Sequence, residues 1–172
     1  MSFTPAFRRL ALTLHIVASI GLLGAIAAFL SLVIAGVTGQ DDGLGRGAYL
    51  ALPLIAETVV APLALASLAT GIVQALGTPW GLIRHYWVLI KLLVTVFATA
   101  VLLAKLPLIV QAGHLAVEGA SNADLRPIGL QLVVHAAGGL AVLLIPAVLS
   151  VYKPRGLTPY GLRRQRMEPA RP

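Results

Sequence analysis

Residues Thr78–Lys91, TPWGLIRHYWVLIK, decide how this chain folds. The segment lies near the middle of the sequence between long apolar blocks. It combines a Pro–Gly turn, the basic pair Arg84 and His85, and the aromatic pair Tyr86 and Trp87. Turn residues, positive charge and aromatic rings together are typical of a chain that reverses direction at a membrane surface. The segment therefore predicts a turn at a bilayer surface with a spanning helix on each side.

The composition agrees with a membrane protein. Of the 172 residues, 58% are hydrophobic and only 11% are charged, whereas soluble domains carry about 25% charged residues. The mean hydropathy is +0.91, so there is too little polar surface to cover a water-soluble globule. The absence of cysteine excludes disulfides, thiolate metal sites and cysteine nucleophiles. The net charge of +7 comes from basic residues that flank apolar blocks, which favours anionic lipid head groups over nucleic acid as the partner.

Four apolar blocks are each long enough to cross a bilayer. They cover about residues 10–37, 49–76, 86–106 and 127–152, and about 20 helical residues cross the hydrocarbon layer. The blocks lack the alternation of strands, and open sheet edges cannot face lipid. We therefore predict an all-α fold, a single-domain integral membrane four-helix bundle, with a polar loop at 107–126 and a basic tail at 153–172.

The basic residues predict the orientation. Most of them lie on the two termini and on the middle turn, which a four-span topology places on one side of the membrane. Because cytoplasmic loops are enriched in Lys and Arg, both termini are expected in the cytoplasm, at a bacterial plasma membrane. The side chains expected to contact anionic lipid head groups are Arg84, His85, Lys153, Arg155, Arg163, Arg164 and Arg166.

Two ionisable side chains near the outer surface form the first candidate site. Glu57 and His135 each lie eight residues inside a predicted span, at a depth of about 12 Å, on faces rich in small residues. A carboxylate and an imidazole at one depth can form a pair that joins two helices, a proton relay or part of a metal site. His114, in the predicted outer loop, is the candidate third ligand.

Two further ionisable side chains lie near the cytoplasmic boundary. His15 in the first span and Lys91 in the third lie at similar depth. We expect both to be tolerated there, with the lysine extending to the interface, and the sequence identifies no partner for Lys91.

Haem b held between two histidines needs matched depths, and His15 and His135 lie nearer opposite surfaces. No nucleotide-binding or hydrolase motif is present, so we expect no enzymatic activity.

Small residues predict where the helices approach closely, because lipid gives helices no hydrophobic drive to associate. The clearest cases are Ala18 and Gly21 in the first span, Ala61 and Ala64 in the second, and the pair Gly138-Gly139 in the fourth.

Two turn motifs in the chain resemble each other: TPWG at 78–81 and TPYG at 158–161. Either a parallel repeat of two hairpins or two similar surface turns would produce them.

The segments 14–24, 76–91 (LGTPWGLIRHYWVLIK) and 149–161 (LSVYKPRGLTPYG) carry a family likeness. The chain resembles a family of predicted four-span bacterial membrane proteins, mainly actinobacterial, that has no assigned activity. More distantly, an early histidine in one span and a Thr-Pro-aromatic-Gly turn before a lysine-bearing span are similar to the CopD copper-resistance membrane domain. The sequence is thus interpreted as a non-enzymatic accessory or small transport-related membrane protein, with a second copy of itself or another membrane protein as the expected partner. The alternative is copper handling or haem-linked redox chemistry.

Overall fold

The computed structural model describes residues 4–39, 42–77, 82–152, 154 and 156–167. It confirms the all-α prediction. The first span is α1 (Pro5–Thr38), and the second consists of α2 (Asp42–Ile55), a π-helical turn (Ala56–Val60) and α3 (Ala61–Gly77). The third and fourth spans are α4 (Tyr86–Val117) and α5 (Asn122–Tyr152), and a short helix α6 (Pro159–Met167) follows. By length and composition four of these segments can cross a membrane, which makes the chain a multi-pass membrane protein.

The predicted polar loop at 107–126 is wrong. Helix α4 continues through Pro107 to Val117, and α5 begins at Asn122, so the connection is only residues 118–121. The extension is stabilised by burial of Ile109, Ala112, Gly113 and Ala116, whose helical spacing places them on one face. This burial outweighs the hydrogen bond that Pro107 cannot donate. His114 therefore lies on a helix rather than in a loop.

A capping motif ends the connection. The hydroxyl of Ser121 accepts from the amide of Asp124 at 3.3 Å, and the Asp124 carboxylate accepts from the Ser121 amide and hydroxyl. This reciprocal pairing at the start of a helix is a capping box. Gly119, with φ of +85°, supplies the left-handed residue that ends α4. Both signals are readable in the sequence between Gly119 and Asp124.

The four spans surround the bundle axis in chain order. Helix α1 packs against the second span and against α5, and α4 packs against the same two neighbours. The first and third spans are therefore diagonal partners, as are the second and fourth. Among the described residues only α2 in the second span approaches α5, whereas the π turn and α3 do not.

The π turn Ala56–Val60 changes which face of the second span points inward. Pro62 has no N–H for the carbonyl of Thr58, and its ring would press on that carbonyl in a regular helix. The extra residue of a π turn relieves this conflict and rotates the helix by about 100° relative to α periodicity. Ala56 and Val60 are buried as a result, and Glu57 is exposed.

The core lies in the half of the bundle distant from the chain termini and is centred on Tyr49. A methyl group added at Gly36 would lie 2.9 Å from Cε2 of Tyr49, and one added at Gly129 would overlap its hydroxyl. The Tyr49 hydroxyl donates to the carbonyl of Leu125 at 3.4 Å. Around it pack Phe29, Val33, Leu52, Ala56, Ile109, Ala112, Ala116, Leu125, Leu132 and Ala136. The glycines thus let one ring contact the first and fourth spans together.

The small-residue predictions are confirmed in part. Ala18, Ala61 and Ala64 are buried, and Gly21 faces the side chain of Leu63. The expected close approach at Gly138-Gly139 is wrong, because a methyl group added at either position would meet nothing within 4 Å. This pair leaves space beside α5 instead of bringing a neighbouring helix close.

On the termini side, defined as the end of the bundle with Pro5, Gly77 and Tyr152, the tail folds back onto the middle turn. His85 and Leu157 form an antiparallel bridge. The amide of Thr158 donates to the carbonyl of Arg84 at 3.0 Å. The Thr158 hydroxyl donates to the carbonyl of Ile83 at 2.6 Å. The same hydroxyl accepts from Gly161 at the start of α6. The TPYG motif therefore caps α6 and attaches it to the middle turn, whereas TPWG at 78–81 lies outside the described residues.

Candidate functional site

The structure does not bring Glu57, His135 and His114 together. Glu57 and His114 are exposed, and Nδ1 of His135 is bonded to the carbonyl of Gln131 in its own helix at 2.7 Å. Within the described ranges no three His, Asp or Glu side chains cluster in a way that could hold a metal ion. Glu57 and His135 are on diagonal spans and Glu57 is exposed, so the expected Glu57–His135 pair does not form.

His15 is instead joined to the second span. Its Nδ1 lies 3.1 Å from the carbonyl of Ser67 and 3.1 Å from the hydroxyl of Thr70. Because a carbonyl oxygen can only accept a hydrogen bond, Nδ1 of His15 is the protonated nitrogen and donates to the Ser67 carbonyl. Gly71 gives the ring its space, since a methyl group there would lie 3.1 Å from Cε1 of His15. The neutral ring therefore keeps an unprotonated Nε2, and in the described chain that nitrogen has no hydrogen-bond partner.

Lys91 has a partner that the sequence did not reveal. Its ammonium donates to the hydroxyl of Ser150 on α5 at 2.5 Å and lies 5.6 Å from the ring centroid of Trp87. The Ser150 hydroxyl in turn donates a hydrogen bond to the carbonyl of Pro146 at 2.8 Å. The lysine is thus held between α4 and α5 by a hydroxyl and an aromatic face, instead of extending unpartnered to the interface.

His15 and Lys91 line one cavity of about 430 Å³, which we call the termini-side cavity. It lies between the first, second and third spans, and Ser150 of α5 closes one edge. Most of its wall is apolar, and its polar lining residues are Arg8, His15, Ser67, Gln74, Trp87, Lys91, Thr95 and Ser150. His15 and Lys91, for which the sequence predicts no contact with each other, therefore line the same cavity.

The polar groups of this cavity are mainly hydrogen-bond donors. Arg8 and Lys91 are cationic, and the described lining contains no Asp or Glu. Gln74 also lines the cavity, and its Nε2 is buried without a hydrogen-bond partner in the described structure. A buried unmade hydrogen bond costs about 1–3 kcal/mol. The cavity is therefore chemically complementary to a ligand with anionic, acceptor-rich groups and an apolar body.

The predicted head-group contacts lie beside this cavity or outside the described part of the chain. Arg84 and His85 are half-buried in the turn that the tail covers, and Arg163 is exposed on α6. The His85 ring centroid lies 6.5 Å from that of Trp87. Lys153 and Arg155 are outside the described residues, and the side chains of Arg164 and Arg166 are not described. The head-group contacts stay a prediction.

Sequence reasoning missed four residues of the site: Ser67, Thr70, Gln74 and Ser150. They are uncharged, so a search for ionisable groups at membrane depth passes over them. A signal was nevertheless present, because Ser67, Thr70 and Gln74 recur at helical spacing on the second span and lie at the level of His15. Comparison with protein-family models, with curated proteins and with solved structures gives no match to this chain, so the site rests on its own geometry.

Proposed function

We propose that this chain is a non-enzymatic protein of the bacterial plasma membrane that binds the head group of an anionic phospholipid in the termini-side cavity. In this proposal both termini are cytoplasmic, so the cavity belongs to the inner leaflet. As a lipid-binding protein, the chain acts in an accessory or small transport-related role. The observation that carries the proposal is the set of donors in an apolar cavity, with Arg8 and Lys91 and no described carboxylate.

The location of the donors supports a lipid rather than a soluble anion. Lys91 is six residues into α4, close to the end of the bundle that this proposal places at the cytoplasmic surface, and most of the cavity wall is apolar. Basic pockets between helices on the cytoplasmic side are typical of sites for anionic head groups. An acyl chain would cover the apolar wall while the phosphate accepts hydrogen bonds from Lys91 and Gln74.

Trp87 provides a direct test. The sequence holds two tryptophans, Trp80 and Trp87, so a Trp80→Phe variant leaves only the one that lines the cavity. Brominated phosphatidylglycerol and brominated phosphatidylcholine are compared as quenchers of its fluorescence in nanodiscs. We expect preferential quenching by phosphatidylglycerol, and Lys91→Met should reduce that preference by about tenfold or more, as the loss of one charge-assisted hydrogen bond implies.

Lys105→Met is the matched control, because Lys105 is on the same helix but does not line this cavity. It should leave the preference unchanged. Equal quenching by the two lipids in the unmodified protein would contradict the proposal. Displacement of the brominated lipid by millimolar inorganic phosphate would also contradict it, since the ligand would then be a soluble anion.

One observation favours a second candidate, the binding of haem or copper. Metal-ligating histidines usually donate their other ring N–H to a carbonyl or carboxylate, and His15 does so to Ser67 while Nε2 has no described partner. This candidate places the ligand at His15 rather than at Glu57 and His135. Purified protein should then show a Soret band or bound copper that is lost in His15→Phe. If neither is present after expression with haem and copper supplied, this candidate fails.

A further inference from the structure

A second cavity, of about 390 Å³, lies deeper in the bundle and is unconnected with the proposed function. We call it the central cavity. Its wall is formed by α1, the second span, α4 and α5, and includes Leu22, Val60, Leu102 and Leu143. Gly138 and Gly139 line it on α5, and their missing side chains create part of its volume. The glycine pair that sequence reasoning assigned to helix packing thus borders an open space.

Three side chains with hydrogen-bonding capacity line this apolar space, and Thr99 of α4 is one of them. Lys105 of α4 lines the cavity, and in the described chain it has no hydrogen bond or ion pair. His135 of α5 lines it as well, with Nδ1 bonded to Gln131 and Nε2 without a described partner. The described lining holds no Asp or Glu. An ammonium group beside apolar walls is costly without a counter-charge, and the half-buried Lys105 has none in the described chain, so an anionic ligand in the cavity would supply one.

We propose that the central cavity binds a single-chain amphiphile with a carboxylate, a long-chain fatty acid, whose head group pairs with Lys105 and hydrogen-bonds His135. The apolar walls, which include Leu102, Val142 and Leu143, pack around the acyl chain. One lysine matches one carboxylate in charge. The fatty acid enters sideways from the bilayer, because the cavity lies between helices of a membrane bundle.

The single cation in the described lining of the central cavity matches one carboxylate. Small-molecule pockets measure about 300–1,000 Å³, and 390 Å³ lies within that range. Lys105 is also separated from Lys91 by 14 positions, about 21 Å along α4, so one head group cannot contact both lysines. The two cavities are therefore distinct sites with separable variants.

Photolabelling tests the proposal on the full chain in phosphatidylcholine nanodiscs. The probe is palmitate with a diazirine on its acyl chain, and the labelled residues are mapped by mass spectrometry. We expect labelling of α4 near 98–109 and of α5 near 132–143. Lys105→Met should lower the affinity by about tenfold or more, the loss expected for a charge-assisted hydrogen bond in an apolar site. Unlabelled palmitate should compete, and hexadecanol, which lacks the charge, should compete at least tenfold less well.

Gly139→Leu projects a side chain into the cavity with little effect on the fold, because a Cβ added at Gly139 meets no neighbour within 4 Å and the residue lines the open space. It should abolish the specific labelling. Gly24→Leu is its control, since Gly24 is equally free of neighbours but does not line the cavity. Lys91→Met should leave labelling unchanged, which separates this site from the termini-side cavity. Unchanged labelling in both Gly139→Leu and Lys105→Met, equal competition by hexadecanol, or full competition by phosphatidylglycerol would each overturn the proposal.

Discussion

Around Tyr49 the four spans touch closely, whereas around His15 they leave a cavity of about 430 Å³. In the first region glycines admit a large ring, and the contacts are almost entirely apolar. In the second region the spans are joined by hydrogen bonds from His15 and Lys91 to groups on neighbouring helices. The difference indicates that the packed half holds the bundle together, so that the half near the termini can remain open for a ligand.

The packed half should be the most sensitive to added volume. Gly129→Leu places atoms where the Tyr49 hydroxyl lies, so α5 must move away from the second span. We expect a loss of about 3 kcal/mol or more in the free energy of unfolding, at the upper end of overpacking effects. Unfolding by SDS in mixed micelles measures it.

Gly139→Leu is the control for this prediction, because a Cβ added there meets no neighbour within 4 Å and the rest of the side chain can enter the central cavity. It should change the free energy of unfolding by less than about 1 kcal/mol. Similar losses in the two variants would show that the two regions do not differ in packing as described.

The open half should respond to the loss of single hydrogen bonds. Ser150→Ala removes the acceptor of Lys91 and should lower stability by about 1 kcal/mol, within the range for hydrogen bonds between membrane helices. Ser31→Ala is the matched control, since Ser31 also donates to a carbonyl four residues earlier but has no partner on another helix among the described residues. A stability loss as large for Ser31→Ala would mean that the Lys91 contact contributes nothing.

The smallest effect is expected for Tyr49→Phe. The Tyr49 hydroxyl lies 3.4 Å from the Leu125 carbonyl, a long hydrogen bond, and the ring contacts are retained. We expect a change of less than about 0.5 kcal/mol in the same unfolding assay. A loss above 1 kcal/mol would instead show that the hydroxyl, rather than the shape of the ring, orders the packed half.

Much of the architecture could be predicted because it depends on local composition. The long apolar blocks predict four helices that can cross a membrane. The predicted start of α5 at about residue 127 is wrong, because the capping box between Ser121 and Asp124 begins the helix at Asn122. The candidate site could not be predicted in the same way. The partners of His15 are more than 50 positions away in sequence, and Lys91 is 59 positions from Ser150.

The Glu57–His135 pair fails for a related reason. Depth along each helix is readable from residue number, and both residues do lie well inside their spans. Rotation about the helix axis is not readable once a π turn interrupts the 3.6-residue period before Pro62. Which spans are neighbours is also absent from the sequence pattern, and these two residues are on diagonal spans.

The sequence by itself determined that this chain forms four apolar helices with ionisable groups at membrane depth, because hydrophobicity, charge and capping act over a few residues. The tertiary structure decided which groups meet: His15 with Ser67, Lys91 with Ser150, and Tyr49 with Gly36 and Gly129. Those pairings depend on helix rotation and neighbour order, which are set by packing across the whole bundle. The sequence of segment 78–91 therefore predicts that the chain reverses direction. The contact of Lys91, at the end of this segment, depends on the neighbouring helix that carries Ser150.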